Sequence, residues 1–240
     1  MATRQTRTRT AAKAAKAKAA KAKAAGARAR RAPVGLSHEQ IRREALRLID
    51  KEGVEAFSTR KLGRALGCEA MAIYWYYPSK EALLDAVVDE LMSRIGVAAG
   101  HTGRDWVAAM RGLAHAYRDL SRRHPKAFPL LATRRFATES TYAFLDGLFE
   151  LARRQGLSDR TTARFFRAVS SYCSGIALNE LAVQSTTDLA PAALRARFPK
   201  VSAVQAWLDP QHQDDVFSFG LEILLDALAR SARGEAVRRR

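Results

Sequence analysis

Between Ser37 and Pro78 the sequence starts and stops helices at intervals that leave room only for small, steeply packed ones, and this punctuation constrains the fold more than any other feature. Ser37 followed three residues later by Gln40 has the form of a capping box. Behind it Ile41, Ala45, Leu46, Leu48 and Ile49 recur at helical spacing. Arg42, Arg43, Glu44 and Arg47 occupy the other face, and Gly53 supplies a stop. After a connection containing Phe57, the run from Thr59 to Gly67 reads as a short helix that Thr59 or Ser58 can cap and Gly67 can end. A second short helix, from about Glu69 to Trp75, offers Ile73, and Met71 or Cys68, for packing. Pro78 closes it, and Ser79 caps the next helix through Glu81, Leu83, Leu84, Val87, Val88 and Leu91. Three helices with a tight glycine turn between the second and third make a helix-turn-helix unit.

Past a glycine-rich break near Gly96, Gly100 and Gly103, the pattern predicts further helices at about 104–123, 126–133, 139–155, 158–185 and 213–233, with no competing strand pattern. His124 before Pro125 is expected to end one of them. The stretch 158–185 carries Phe165, Phe166, Val169, Tyr172, Ile176, Leu181 and Val183 and has little polar surface. The last helix has Val216, Phe219, Ile223, Leu224 and Leu228 at helical spacing, with Phe217 and Leu221 widening the apolar face. Helices this apolar suit a bundle buried on more than one side, which a dimer interface would explain. The expected fold is therefore all-α, with a helix-turn-helix domain at 36–95 and a larger helical domain at 96–240.

The net charge of +17 is concentrated at one end. Residues 1–35 hold 11 Lys or Arg and no Asp or Glu, and the 30 basic and 24 acidic residues that follow leave only +6. With no aromatic residue and almost no large aliphatic one, this segment cannot bury enough apolar surface to offset its ordering entropy, so a disordered basic tail is expected. Two readings of it stand. One is a DNA-seeking arm that follows phosphates or enters the minor groove, because such a field attracts polyanions. The other is a solubilising tail, or coding sequence ahead of the true start.

Cys68 and Cys173 lie far apart and match no paired metal spacing. The histidines His38, His101, His115, His124 and His212 show no i, i+4 pairing, so no metal or cofactor is expected. No apolar run approaches the roughly 20 residues that cross a bilayer, and no signal peptide is legible, which fits a cytoplasmic location. The absence of a nucleophile elbow, a phosphate loop and a zinc-binding His-Glu pair argues against an enzyme.

The segment from Thr59 to Lys80, continuing through Glu-Ala-Leu-Leu to Asp85, closely resembles the DNA-binding domain of the TetR family of regulators. The resemblance covers residues 37 to about 92. A weaker one extends to the tetracycline-repressor-type C-terminal domain through Leu113-Ala, Tyr117-Arg, His124-Pro125 and Gly175. It implies an all-α homodimer with two helix-turn-helix heads and ligand-controlled release from operator DNA. Position by position, Thr59, Tyr74, Tyr76 and Lys80 resemble phosphate-binding positions. Arg60, Ala70, Met71, Ala72 and Trp75 resemble positions that face bases. Arg60 is the best base reader of the set, since a guanidinium can bond guanine O6 and N7 together. The recognition helix is otherwise poor in hydrogen-bonding groups, so specificity should lean on thymine methyls and DNA shape. Ile73 is expected in the core, and Met71 either there or on the DNA face. Gly63 replaces an alanine common at this family position, which weakens its helix by about 1 kcal/mol.

In this family the effector sits inside the C-terminal bundle. The candidate lining is Trp106, His115, Tyr117, Phe136, Tyr142, Phe166, Ser170 and Asn179, with Phe144, Phe149 and Tyr172 as further aromatics in the same stretch. Each of these is also an ordinary candidate for the core. Tetracycline repressors hold a magnesium-drug chelate through histidines. Here Glu90–Val97 lacks their histidine-rich end, and Leu130 stands in the place of the metal-binding histidine, so no magnesium-tetracycline response is expected. The resulting expectation is a ligand-responsive, sequence-specific transcription regulator, a repressor released by a small molecule. The alternative is an architectural protein that coats DNA through its basic tail without sequence preference.

Overall fold

Ser37 does open the first helix through a capping box: its hydroxyl accepts from the Gln40 amide at 3.1 Å, and the Gln40 side chain accepts from the Ser37 amide at 2.8 Å. The helix, α1 (His38–Glu52), ends at Gly53, whose φ of 88° is one that side-chain-bearing residues avoid. The computed structural model describes residues 35–99, 105–134, 138–183, 196–205, 207 and 210–238. Among these residues there are ten α-helices, one 3-10 turn and no strand. The tail expected at 1–35 lies outside the described residues except for Gly35.

Ser58 rather than Thr59 caps α2 (Thr59–Ala65), accepting from the Lys61 amide at 3.3 Å, which makes Thr59 the first helical residue. A turn at Gly67 (φ 67°) leads to α3 (Ala70–Ile73), shorter than the sequence suggests because its last turn opens at Tyr74–Tyr76. Gly63 has a part in this turn that helix propensity does not reveal. The Cys68 amide bonds to the Gly63 carbonyl at 2.8 Å, and a Cβ at Gly63 would lie 2.7 Å from the Cys68 carbonyl oxygen. The missing side chain lets the turn close.

Helix α4 (Lys80–Ala99) starts where the Ser79 hydroxyl accepts from the Ala82 amide, and it runs through Gly96 without a break. The break expected at Gly96 is thus corrected: a Cβ there would meet the Phe144 ring at 3.2 Å, so this glycine serves close packing rather than a turn. Gly100 and Gly103 lie outside the described residues. The later helices are α5 (Trp106–Arg123), α6 (Phe128–Thr133), α7 (Glu139–Arg154), α8 (Asp159–Val183), α9 (Pro199–Gln205) and α10 (Gln213–Arg238). His124 caps the end of α5 as expected. The sequence reading missed α9 and the 3-10 turn Pro210–His212, although Pro199 and Pro210 each stand at a first position that tolerates proline.

Two buried clusters hold the chain together. The first joins Ile41, Ile49, Leu62, Ile73 and Leu91 of the head to Leu120, Phe128, Leu131 and Ala177 of later helices, so the head packs directly on α5, α6 and α8. The second lies among α5, α7, α8 and α10 around Trp106, Met110, Leu148, Phe217, Leu221 and Leu228. Deleting a fully buried ring such as Phe128 or Phe217 should cost about 3–5 kcal/mol. Beside the second cluster, buried Arg118 donates twice to buried Glu180, at 2.9 and 2.5 Å. It also pairs with Asp214 at 2.9 Å, and its guanidinium lies 4.4 Å from the Phe217 ring centre. Arg122 reaches the same two carboxylates, and its hydrogen bond holds the Asp214 carboxyl below the usual carboxylate range.

Candidate functional site

One edge of the head puts large side chains into solvent. Ile73 is buried, as expected, but Met71 is 66% exposed and Trp75 48%, with Tyr74 exposed beside them. That places Met71 on the open face rather than in the core. Arg60 is exposed, while Thr59, Ala70 and Ala72 are half-buried. The Thr59 and Tyr74 hydroxyls lie 3.3 Å apart, which links the start of α2 to the end of α3. A short α3 held against α2 by the Gly63 contact thus presents Met71 and Trp75 as apolar contacts, and α2 contributes the cation Arg60 to the same unit. Such a surface can meet base methyls and phosphates together.

The other two expected phosphate positions are anchored to the protein itself. The Tyr76 hydroxyl donates to the Leu36 carbonyl at 2.9 Å. Lys80 donates to the Phe57 carbonyl at 3.1 Å with its ammonium 5.8 Å from the Phe57 ring centre. Both side chains are half-buried, and both shape the edge that carries Trp75.

In the larger domain, a small cavity of about 50 Å³ lies among α4, α5, α7 and α8. Its lining is almost wholly apolar: Met92 and Ile95 from α4, Met110, Leu113, Ala114 and Tyr117 from α5, Phe144 and Leu145 from α7, and Phe166, Val169, Ser170 and Cys173 from α8. The polar groups are few and occupied. Tyr117 and Ser174 share a hydrogen bond at 2.9 Å, and the Ser170 hydroxyl donates to the Arg167 carbonyl. Burial pushes the Cys173 thiol up to about 12, so the lining carries no charge near neutrality.

Of the sequence-predicted lining, Tyr117, Phe166 and Ser170 come together here, and Phe144 joins them. Trp106 does not: it is wholly buried in the second cluster with its amide bonded to the Gln155 side chain. His115 is exposed, edge-on to Phe217, and Tyr142 and Asn179 are also exposed. The reason is helical phase. The cavity side of α5 is set by Met110, Leu113, Ala114 and Tyr117, and His115 lies about 100° round from Ala114. Phe136 lies outside the described residues. What the sequence reading missed are the aliphatic and thioether walls, Met92 and Ile95 above all, because it searched the chain after residue 104 for aromatics. Leu130, which the resemblance sets in the place of a metal-binding histidine, is buried with the head-side cluster and is not among the residues that line the cavity. Among the described residues there is no group of three or more potential metal ligands.

Comparison with known proteins places these two regions in one frame. Residues 41–87 match the model for bacterial regulatory proteins of the tetR family, and residues 99–231 match the tetracyclin repressor-like C-terminal domain. The HTH-type transcriptional repressor DrrR1 of Streptomyces coeruleorubidus is 28% identical over 219 residues, which span 84% of this chain and 81% of that protein. The class D tetracycline repressor protein of Escherichia coli is 28% identical over 207 residues, 79% of this chain and 88% of its own length. Among solved structures, a possible TetR family transcriptional regulator from Streptomyces coelicolor A3(2) superposes with a TM-score of 0.69 at 28% identity. That match covers 81% of this chain and all of the other.

Proposed function

Because the chain belongs to the TetR family, with a helix-turn-helix head and a tetracyclin repressor-like C-terminal domain, and is thereby a DNA-binding regulator, we infer that it is a repressor released from a specific operator by a neutral, largely apolar small molecule. One observation carries this reading: the cavity is walled by Met92 and Ile95, which belong to the same helix, α4, that leaves the recognition head at Lys80. A ligand there touches the part that must move.

At about 50 Å³ the cavity is far smaller than the several hundred Å³ that a drug-sized ligand occupies, so binding has to open it. Opening displaces α4, and the polar contacts that hold α4 define its resting place. Arg134 bonds Glu81 and, at 2.5 Å, Asp85, and Asp89 accepts from Thr138 and, at 2.6 Å, Ser140. The effector acts by its preference for the opened state, as any ligand-driven shift requires. An uncharged lining without Leu130 among its residues offers nothing to a magnesium chelate. Titration with magnesium and tetracycline should therefore leave operator affinity unchanged, and release by that pair would overturn this assignment of effector class.

Two such chains are expected to pair through α8 and α10, since α10 turns Val216, Phe219 and Ile223 to solvent and α8 turns Leu178, and to work in the cytoplasm without a cofactor. The decisive experiment is footprinting on the chromosome's own fragments. A dimeric repressor should protect a short inverted repeat with half-sites about one helical turn, near 34 Å, or a multiple apart. Uniform coating would favour the architectural alternative.

A further inference from the structure

We propose that a recess between α7 and α8 is a binding site for a small organic ammonium ion, separate from the apolar cavity and independent of the operator reading.

Two short stretches of sequence build this recess. Asp146 and Glu150 stand four residues apart on α7 and so share a face, with Phe149 beside them. Asp159, Thr162 and Ala163 join them from the first turns of α8, around a volume of about 200 Å³. That is room for a few groups the size of a water, roughly 30 Å³ each, and less than a drug-sized ligand fills. Phe149 stands edge-on to Phe166 with ring centres 5.1 Å apart, which makes its ring a fixed apolar wall. Thr162 lies about 160° round α8 from Leu178, on the side expected to pair, so pairing there leaves the recess open.

Charge selects the sign of the occupant. The lining holds three carboxylates, Asp146, Glu150 and Asp159, and one guanidinium, Arg153. Arg153 is engaged by Asp159 through two bonds of 2.8 and 2.9 Å, and Glu150 accepts from Arg154 at 3.0 Å. Asp146 is left without an ion pair among the described residues. A second observation is independent of charge. Thr162 is only 5% exposed, and its hydroxyl is buried with no hydrogen-bond partner in the protein. Buried hydroxyls normally have one, and Thr162 lines the recess. An ammonium group can supply it, donating to the hydroxyl oxygen and to a carboxylate at once. A bare metal ion suits the site less, because no three potential metal ligands converge among the described residues. Carboxylates set beside a phenyl ring and Ala163 suit a cation that carries a carbon chain.

The test titrates the full chain with n-butylammonium chloride, followed by calorimetry and by the NMR methyl signals of Thr162 and Ala163, with n-butanol as the uncharged control. Saturable binding at one site per chain is expected, with both methyl signals shifting and n-butanol binding more weakly by about tenfold or more. Asp146→Asn and Thr162→Val should each weaken the amine by about tenfold, as loss of a charge-assisted hydrogen bond implies. Thr162→Val removes an unsatisfied hydroxyl, so its unfolding midpoint should hold or rise, which separates loss of the site from loss of the fold. If either variant binds the amine as the unaltered chain does, if n-butanol binds equally well, or if the heats and shifts never saturate, the proposal is overturned.

Discussion

Two of the regions that hold large apolar side chains in water, the recognition head and α10, differ in what surrounds those side chains, and the surroundings suit different partners. At the head, Met71 and Trp75 protrude from a short helix next to Tyr74, in a unit that also carries Arg60 and Thr59. On α10, Phe219 is 70% exposed and Ile223 52%, and with Val216 they form a stripe at helical spacing. The opposite stripe of the same helix, Phe217, Leu221, Leu225 and Leu228, is buried in the domain core. Exposed hydrophobicity alone therefore does not name a partner. Mixed with cations and hydroxyls on a few residues, it suits a polyanion with methyl groups in its groove. Continuous along a helix already buried on its other side, it suits a second copy of the same surface.

The largest effect that would break this comparison comes from charging the second stripe. Phe219→Glu with Ile223→Glu should leave a folded monomer, because neither side chain is in the core, and should reduce operator affinity by two orders of magnitude or more through loss of the paired heads. Sedimentation velocity and operator titration check both parts. Dimers that survive the double substitution would show that this stripe is not the interface.

Next in size is the buried pair between α5 and α8 on which the Asp214 contact of α10 is built. Glu180→Ala leaves the Arg118 guanidinium buried with only the exposed Asp214 carboxylate as a close partner. Removing one member of a buried pair typically costs 3–5 kcal/mol, about that much is expected here, and the chemical-denaturation midpoint should fall accordingly. A loss well under 1 kcal/mol would mean that Asp214 and the Phe217 ring satisfy the Arg118 guanidinium without Glu180. The same experiment at the head should go the other way: Arg60→Ala is expected to leave stability within about 0.5 kcal/mol while reducing discrimination at one base pair by 1–3 kcal/mol. Competition between single-base operator variants reads this directly, and a uniform loss across all variants would reassign Arg60 to phosphate contact.

How much of this was legible in the sequence follows from the range of the interactions. Ser37, Gly53 and Ser79 act within three or four residues, so caps and stops could be read before any fold was known. Ile73 and the buried stripe of α10 were legible too, because helical periodicity is a local property. Gly96 was misread as a break because its reason, the Phe144 ring, lies on a distant helix. The cavity was only partly legible for the same cause. Tyr117, Phe166 and Ser170 were found by residue type, but His115, Tyr142 and Asn179 share that type and face away, and only the relative rotation of packed helices separates the two groups. The short α9 lacked enough turns to show a period.

The smallest predicted effect lies at Gly63, where a local rule and a tertiary contact oppose each other. Alanine should favour α2 by about 1 kcal/mol, since glycine is the poorer helix former. Its Cβ, however, would sit 2.7 Å from the Cys68 carbonyl oxygen and 3.1 Å from the Ala70 amide, and both are backbone atoms of the turn that carries α3. Backbone cannot rotate away as a side-chain tip can, so the turn must retreat by some tenths of an ångström, which strains the 2.8 Å bond from the Cys68 amide to the Gly63 carbonyl. The two terms nearly cancel in stability, and Gly63→Ala should shift the unfolding free energy by less than about 1 kcal/mol. They do not cancel in function, because the displaced element is the one that presents Met71 and Trp75. Operator affinity should fall several-fold while the α10 interface keeps its full strength. If Gly63→Ala instead weakened dimerisation and left DNA binding untouched, the two exposed surfaces would not be the separate devices described above.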